Sequence, residues 1–178
     1  YLVNSYDFEF TRLKQYKILE LKNKEKLKTN CSNEDFLRKS EIKICIKKDC
    51  LENINRIDEL IHRTNQLNFT KKRDSKEDLK KYFEDKSTYD SAYIIAEDKY
   101  GSYGICGFYV LNKTCKTLEH FLFSCRIMNM GIEDFVFSYL EKPHINIVLP
   151  VSSFLGGTSN WIKLVDNLDL KPIEVKKQ

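Results

Sequence analysis

No apolar run in this chain is long enough to cross a membrane, and no signal peptide opens it. There is no C-x-x-C pair and no Cys/His spacing of the metal-binding kind. Cys31, Cys45, Cys50, Cys106, Cys115 and Cys125 are scattered, as are His62, His120 and His144, so no metal is expected. Cysteines used this way fit a reducing, cytoplasmic setting, with Cys45, Cys106 and Cys125 packing as small hydrophobes inside apolar runs. Neither sign of charge prevails: 30 Lys and Arg stand among 26 acids, a net charge of +4. Such a mild, mixed balance argues against nucleic acid as a partner. Internal repeats and low-complexity tracts are also lacking. The chain opens on Tyr1 rather than methionine, which points to a piece of something longer.

What remains is globular composition, 42% hydrophobic and 31% charged. A length of 178 residues suffices for one full core and falls short of two ordinary domains. Residues 1–30 are lysine-rich, with Phe10, Leu13, Tyr16 (or Lys17), Leu21 and Leu27 loosely at helical spacing, and are expected to form a helix packing on the body or a linker helix from a preceding domain. Residues 31–178 are expected to form the domain proper. Ser32 and Asp35 resemble a capping box for a short helix through Arg38. Ile42, Ile44 and Ile46 alternate as a strand. Asp49 then opens a helix with Leu51, Ile54, Ile57, Leu60 and Ile61 as its stripe, and Ser75 with Asp78 caps another carrying Leu79, Tyr82 and Phe83.

From Ala92 the pattern turns to strand. Tyr93–Ala96 and Ile105–Leu111 flank a turn-rich connection from Asp98 to Gly104, and Asn112–Lys116 turns into Leu118–Cys125. Ile145–Leu149 predicts a further strand. Thr158 or Ser159 is a cap for a helix holding Trp161, Ile162, Leu164 and Val165, and Ile173–Val175 reads as an edge strand. This order predicts an α+β fold with a mixed, mostly antiparallel sheet flanked by helices.

The stretch from His120 to Leu140 carries the strongest functional signal. Phe121, Leu122 and Phe123 read as a central strand, and Ile132, Phe135, Val136, Tyr139 and Leu140 as one helix face. Between them lie Arg126 and two residues suited to left-handed backbone, Asn129 and Gly131. A strand feeding a helix through such a loop aims N–H groups and the helix dipole at one spot, which suits a phosphate. An ordinary strand–helix junction is the plainer reading.

The element order and the R-x-x-(G)-x-G spacing resemble the GNAT acyltransferase fold, with Asn129 where that family has its first glycine. More narrowly, three stretches resemble the C-terminal half of FkbH-like proteins. Arg63, Thr64, Asn65, Gln66, Asn68 and Thr70 match R-T-N-Q-x-N-x-T. Asp98, Gly101 and Gly104 match D-x-x-G-x-x-G. Phe121, Leu122, Ser124, Cys125, Arg126, Gly131 and Glu133 match F-L-x-S-C-R-x-x-x-x-G-x-E. The matches span roughly residues 33–142.

The resemblance implies that Arg126, Ile127, Met128, Asn129, Met130, Gly131 and Ile132 hold coenzyme A or the 4'-phosphopantetheine of an acyl carrier protein. It also implies a haloacid-dehalogenase-like phosphatase domain as partner in the parent protein. The D-x-D-x-T motif of that phosphatase is absent from this chain. The implied function is acyl transfer, of a glyceryl unit in characterised members. A non-catalytic module that docks the carrier, and a small-molecule N-acetyltransferase, are the alternatives.

Individual residues carry paired readings. Cys125 sits beside a cation and a helix N-terminus, where a thiol can become a nucleophile, or it is a core cysteine. Arg126 meets a phosphate or lies on the surface. Arg63, Thr64, Asn65, Gln66 and Asn68 orient a thioester or acyl group, or tie down their own loop. Glu97 or Asp98 serves as general base, or Asp98 forms a turn. Lys71, Lys72 and Arg73 face an acidic carrier, or only water.

Overall fold

The computed structural model describes residues 33–157 and 159–168, together with Ile18. The readings of residues 1–30 and of Ile173–Val175 lie outside the described residues, apart from Ile18, which is buried. The elements in chain order are α1 (Asn33–Lys39), β1 (Lys43–Lys47), a 3-10 turn (Leu51–Asn53), α2 (Ile54–Arg63) and α3 (Lys76–Glu84). They continue with β2 (Tyr89–Asp98), β3 (Gly101–Asn112), β4 (Thr117–Phe123), a second 3-10 turn (Cys125–Ile127), α4 (Ile132–Tyr139), β5 (His144–Ile145) and β6 (Lys163–Leu164). The six strands form one sheet in the order β5-β4-β3-β2-β1-β6. β1 to β4 run antiparallel to their neighbours, while β6 joins β1 and β5 joins β4 in parallel. The fold is α+β with a mixed sheet, curled by register shifts in the β2–β3 and β3–β4 ladders.

Both faces of the central strands are covered, which is why β3 is buried almost along its whole length instead of alternating with polar residues. Ile94, Cys106, Tyr109, Phe121 and Phe123 pack on one face with Phe36 of α1 and Ile132 and Val136 of α4. Tyr93, Ile95, Phe108, Val110 and Leu122 pack on the other with Ile57 and Ile61 of α2 and Leu79 and Phe83 of α3. Gly107 keeps the first face closed: a Cβ there would lie 2.5 Å from Phe123 Cδ1.

Three expectations need correction. The strands β2 and β3 run through most of the Asp98–Gly104 connection, leaving only Lys99 and Tyr100 between them. The helix expected over Thr158–Val165 is replaced by β6. β1 has an open edge there, and the Lys163 and Val165 N–H groups donate to Ile42 O (3.0 Å) and Ile44 O (2.9 Å). The strand expected over Ile145–Leu149 stops at Ile145. Its neighbour there is not β4 but the chain segment Leu67–Phe69. That segment bonds to β4 through Phe69 N to Phe121 O and Phe123 N to Leu67 O, both 3.0 Å. On its far side Phe69 O accepts from Val148 N (2.8 Å) and Gln66 O from Ser152 N (2.9 Å). Residues 66–69 thus fill the gap between β4 and the 148–152 segment.

Candidate functional site at the carboxyl end of β4

β4 ends where Ser124 turns the chain. Ser124 N donates to Cys106 O (2.8 Å), and its Oγ accepts from Arg126 N (3.3 Å) and Arg126 Nε (2.8 Å). The Arg126 Nη2 donates to Ile105 O (2.9 Å), so the guanidinium folds over the start of β3 instead of projecting into solvent. Burial pushes its pKa down, with the Cys106 thiol acting in the opposite sense. Cys125 beside it is exposed, whereas Cys45 and Cys106 are buried, so the expectation that all three pack inside holds for two of them. Burial lifts the Cys106 thiol to about 12 and leaves it inert at neutral pH.

Asn129 (φ 67°) and Gly131 (φ 83°) are both left-handed, as the loop requires. Ile127, Met130 and Ile132 anchor the loop in the core, while Asn129 is exposed and Met128 half-buried. Gly131 caps α4, and a Cβ there would meet Ser159 Oγ and lie 2.8 Å from Trp161 Cζ2. Trp161 Nε1 donates to Met130 O at 2.8 Å, which pins the loop from the C-terminal side. Among the described residues, the N–H groups of Asn129, Gly131 and Ile132 have no protein acceptor.

Just behind the loop, the first turn of α4 carries two carboxylates. Glu133 is buried: Oε1 accepts from Ser153 Oγ (2.8 Å), and Oε2 has no partner among the described residues. Burial pushes its pKa up. Asp134 Oδ1 accepts from Gly156 N (3.1 Å).

The three stretches singled out from the sequence meet at this end of the sheet, though not all their side chains face the loop. Arg63 is exposed and pairs with Glu59 (2.8 Å). Thr64 is buried at the end of α2, and its carbonyl accepts from Arg73 Nη2 (3.0 Å). Asn65 is exposed, with Oδ1 accepting from Arg73 Nη2 (3.2 Å) and its carbonyl from Lys71 Nζ (2.5 Å). Gln66 is exposed and contributes its carbonyl to Ser152. Asn68 is buried opposite Leu122, its Oδ1 accepting from Lys71 N (3.0 Å) and its Nδ2 without a partner among the described residues. Arg73 also reaches Ile61 O, and Lys72 pairs with Glu119 (2.8 Å). The basic run 71–73 therefore ties its loop to the end of α2 and to β4.

Asp98 is buried at the β2–β3 turn, its carboxylate accepting from Tyr100 N (2.9 Å) and the Tyr103 hydroxyl (2.8 Å). Burial, reinforced by that carboxylate, raises the Tyr103 pKa.

Compared with family models, curated proteins and solved structures, the chain has no match.

One part-buried polar pair had no sequence signal. His120, fully buried on β4, places Nε2 2.8 Å from Asp74 Oδ2, while Tyr82 donates to the same oxygen at 3.0 Å. Burial pushes the imidazole pKa down against the pull of Asp74. Asp74 and His120 lie 46 residues apart, a separation no local pattern reveals. The Glu133–Ser153 and Met130–Trp161 contacts were equally hidden, because the last segment carries no recognised motif. Among the described residues no group of three or more His, Cys, Asp or Glu side chains is placed to hold a metal ion, and no helix is long and apolar enough to cross a membrane.

Proposed function

We propose that this chain is a GNAT-like, acyltransferase-type domain of an FkbH-like protein, binding coenzyme A or the phosphopantetheine arm of an acyl carrier protein and assisting acyl transfer. The observation that supports this reading most is the loop after β4. Its left-handed Asn129 and Gly131 leave three N–H groups at the N-terminus of α4 without acceptors among the described residues. A phosphate oxygen supplies the acceptors this backbone lacks. The exposed Cys125 thiol stands at the start of the same turn and is the group assigned to hold the acyl unit in transit. The phosphatase partner and the glyceryl unit rest on the family resemblance.

A second reading, a carrier-docking module without its own chemistry, is favoured by Asp98. It is buried, and its two oxygens accept from Tyr100 N and the Tyr103 hydroxyl within the β2–β3 turn, which fits the turn-forming reading of this residue. Thermal stabilisation and intact mass, followed with coenzyme A, acyl-coenzyme A and holo-carrier protein, separate the readings. Stabilisation with an acyl adduct that Cys125→Ala abolishes supports transfer. Stabilisation without an adduct supports docking. Absence of stabilisation by every pantetheine ligand overturns both.

A further inference from the structure

The segment from Ser153 to Trp161 crosses the N-terminal end of α4. Ser153 meets Glu133, Gly156 meets Asp134, and Trp161 meets the loop at Met130. From Ile145 to Ile162 the sequence holds no acidic or basic residue, in a chain that is 31% charged. Phe154 and Leu149 on this stretch are 87% and 73% exposed, more than any other large apolar side chain described. Exposed apolar surface without charge suits an uncharged hydrocarbon chain.

Next to Phe154, the half-buried Ser153 donates from Oγ to Glu133 Oε1 at 2.8 Å. Ser152, one residue earlier, is exposed and is held through its backbone N, which donates to Gln66 O. Glu133 is 3% exposed, and its Oε2 has no partner among the described residues. A carboxyl placed this way is costly. Burial raises its pKa, and Asp134 on the same helix adds to the rise. The Cys106 thiol of β3 also feels its charge. A glutamine amide would hold Ser153 without that cost. What a carboxylate adds is basicity, on the oxygen that already receives the serine proton. Gly131 N and Ile132 N, without acceptors among the described residues, lie within two residues of Glu133 at the same helix end. Such a helix end stabilises a developing oxyanion.

We propose that Ser153 is a nucleophile and Glu133 its general base, forming a second acyl-accepting centre for esters or thioesters of uncharged acyl groups. Ser153 Oγ bonds to the acyl carbon while its proton passes to Glu133 Oε1. The adduct then collapses, the C–O or C–S bond breaks, and the departing alkoxide or thiolate takes the proton from Glu133. The acyl group stays as an ester on Ser153. Water or another hydroxyl releases it by the same steps, giving its own proton to Glu133. This centre does not depend on pantetheine binding.

The test treats the full native chain with an alkyl fluorophosphonate, which phosphonylates activated serines with loss of fluoride, and maps the modified peptides. Label is expected on Ser153 and not on the more exposed Ser152. Glu133→Gln should slow the labelling about a hundredfold, the scale of one lost general base. With p-nitrophenyl butyrate, Ser153→Ala should abolish the release of nitrophenolate that the wild-type chain gives. An unlabelled Ser153 in the wild-type chain overturns the proposal, whatever the variants do. Equal labelling of Ser152, or an unchanged rate in Glu133→Gln, overturns it as well. Butyryl found on Cys125 and never on Ser153 would also overturn it, and would leave the pantetheine reading standing.

Discussion

Gly131 and Glu133 are two residues apart and respond to opposite physical demands. Gly131 holds φ 83° with Trp161 and Ser159 against its bare face. Gly131→Ala should therefore cost about 2 kcal/mol in urea unfolding, the scale of one strained backbone position. An unchanged midpoint would show that the loop relaxes freely. Glu133 is a buried carboxyl with one oxygen unpartnered and its pKa raised from 4.5. As pH climbs past 4.5 the unfolded chain releases this proton before the folded one does. Wild-type stability then falls with rising pH until the folded pKa is passed. Glu133→Gln lacks that decline, so it should match wild type near pH 4 and exceed it near pH 7. Parallel pH profiles for the two proteins would rule this out.

Elements were legible where a local cap or alternation defined them, and illegible where a distant strand edge decided the outcome. Ser75 does cap α3, its Oγ accepting from Asp78 N at 3.3 Å. Ser75→Ala should lower stability by ~1 kcal/mol, measured by thermal unfolding, and restoration by Ser75→Asp would tie the loss to the cap. The alternation of Ile42, Ile44 and Ile46 similarly announced β1. By contrast, Ile147, Val148 and Leu149 read as strand yet are exposed, because Leu67–Phe69 had taken the place beside β4. Leu67–Phe69, amid amides and cations, carried no strand pattern of its own. The segment from Ser159 to Val165 has helix-like spacing, but an unpaired β1 edge offers backbone partners that a lone short helix cannot match. Within the candidate site, Arg126, Asn129 and Gly131 were readable from local chemistry. Their supports, Ile105, Trp161 and Ser159, were not, since each lies far away in sequence.

At the scale of the molecule, a sheet covered on both faces sorts the cysteines. Among the described cysteines, Cys45, Cys50 and Cys106 are buried, while Cys115 and Cys125 are exposed. Peptide mapping after brief alkylation of the native chain should find label at Cys115 and Cys125, and at Cys45, Cys50 and Cys106 only after denaturation. Native labelling of Cys106 would mean that the β3–β4 core opens readily. The two outermost strands, β5 and β6, are each two residues long. β4 beyond Leu118 is covered by the chain's own Leu67–Phe69. Long bare strand edges recruit other chains into growing ladders. Leu67–Phe69 therefore also acts as a guard against self-association. Deleting those three residues should reveal itself first as thioflavin-positive aggregates in concentrated samples, and a deletion that stays monomeric would show that the exposed edge of β4 is harmless.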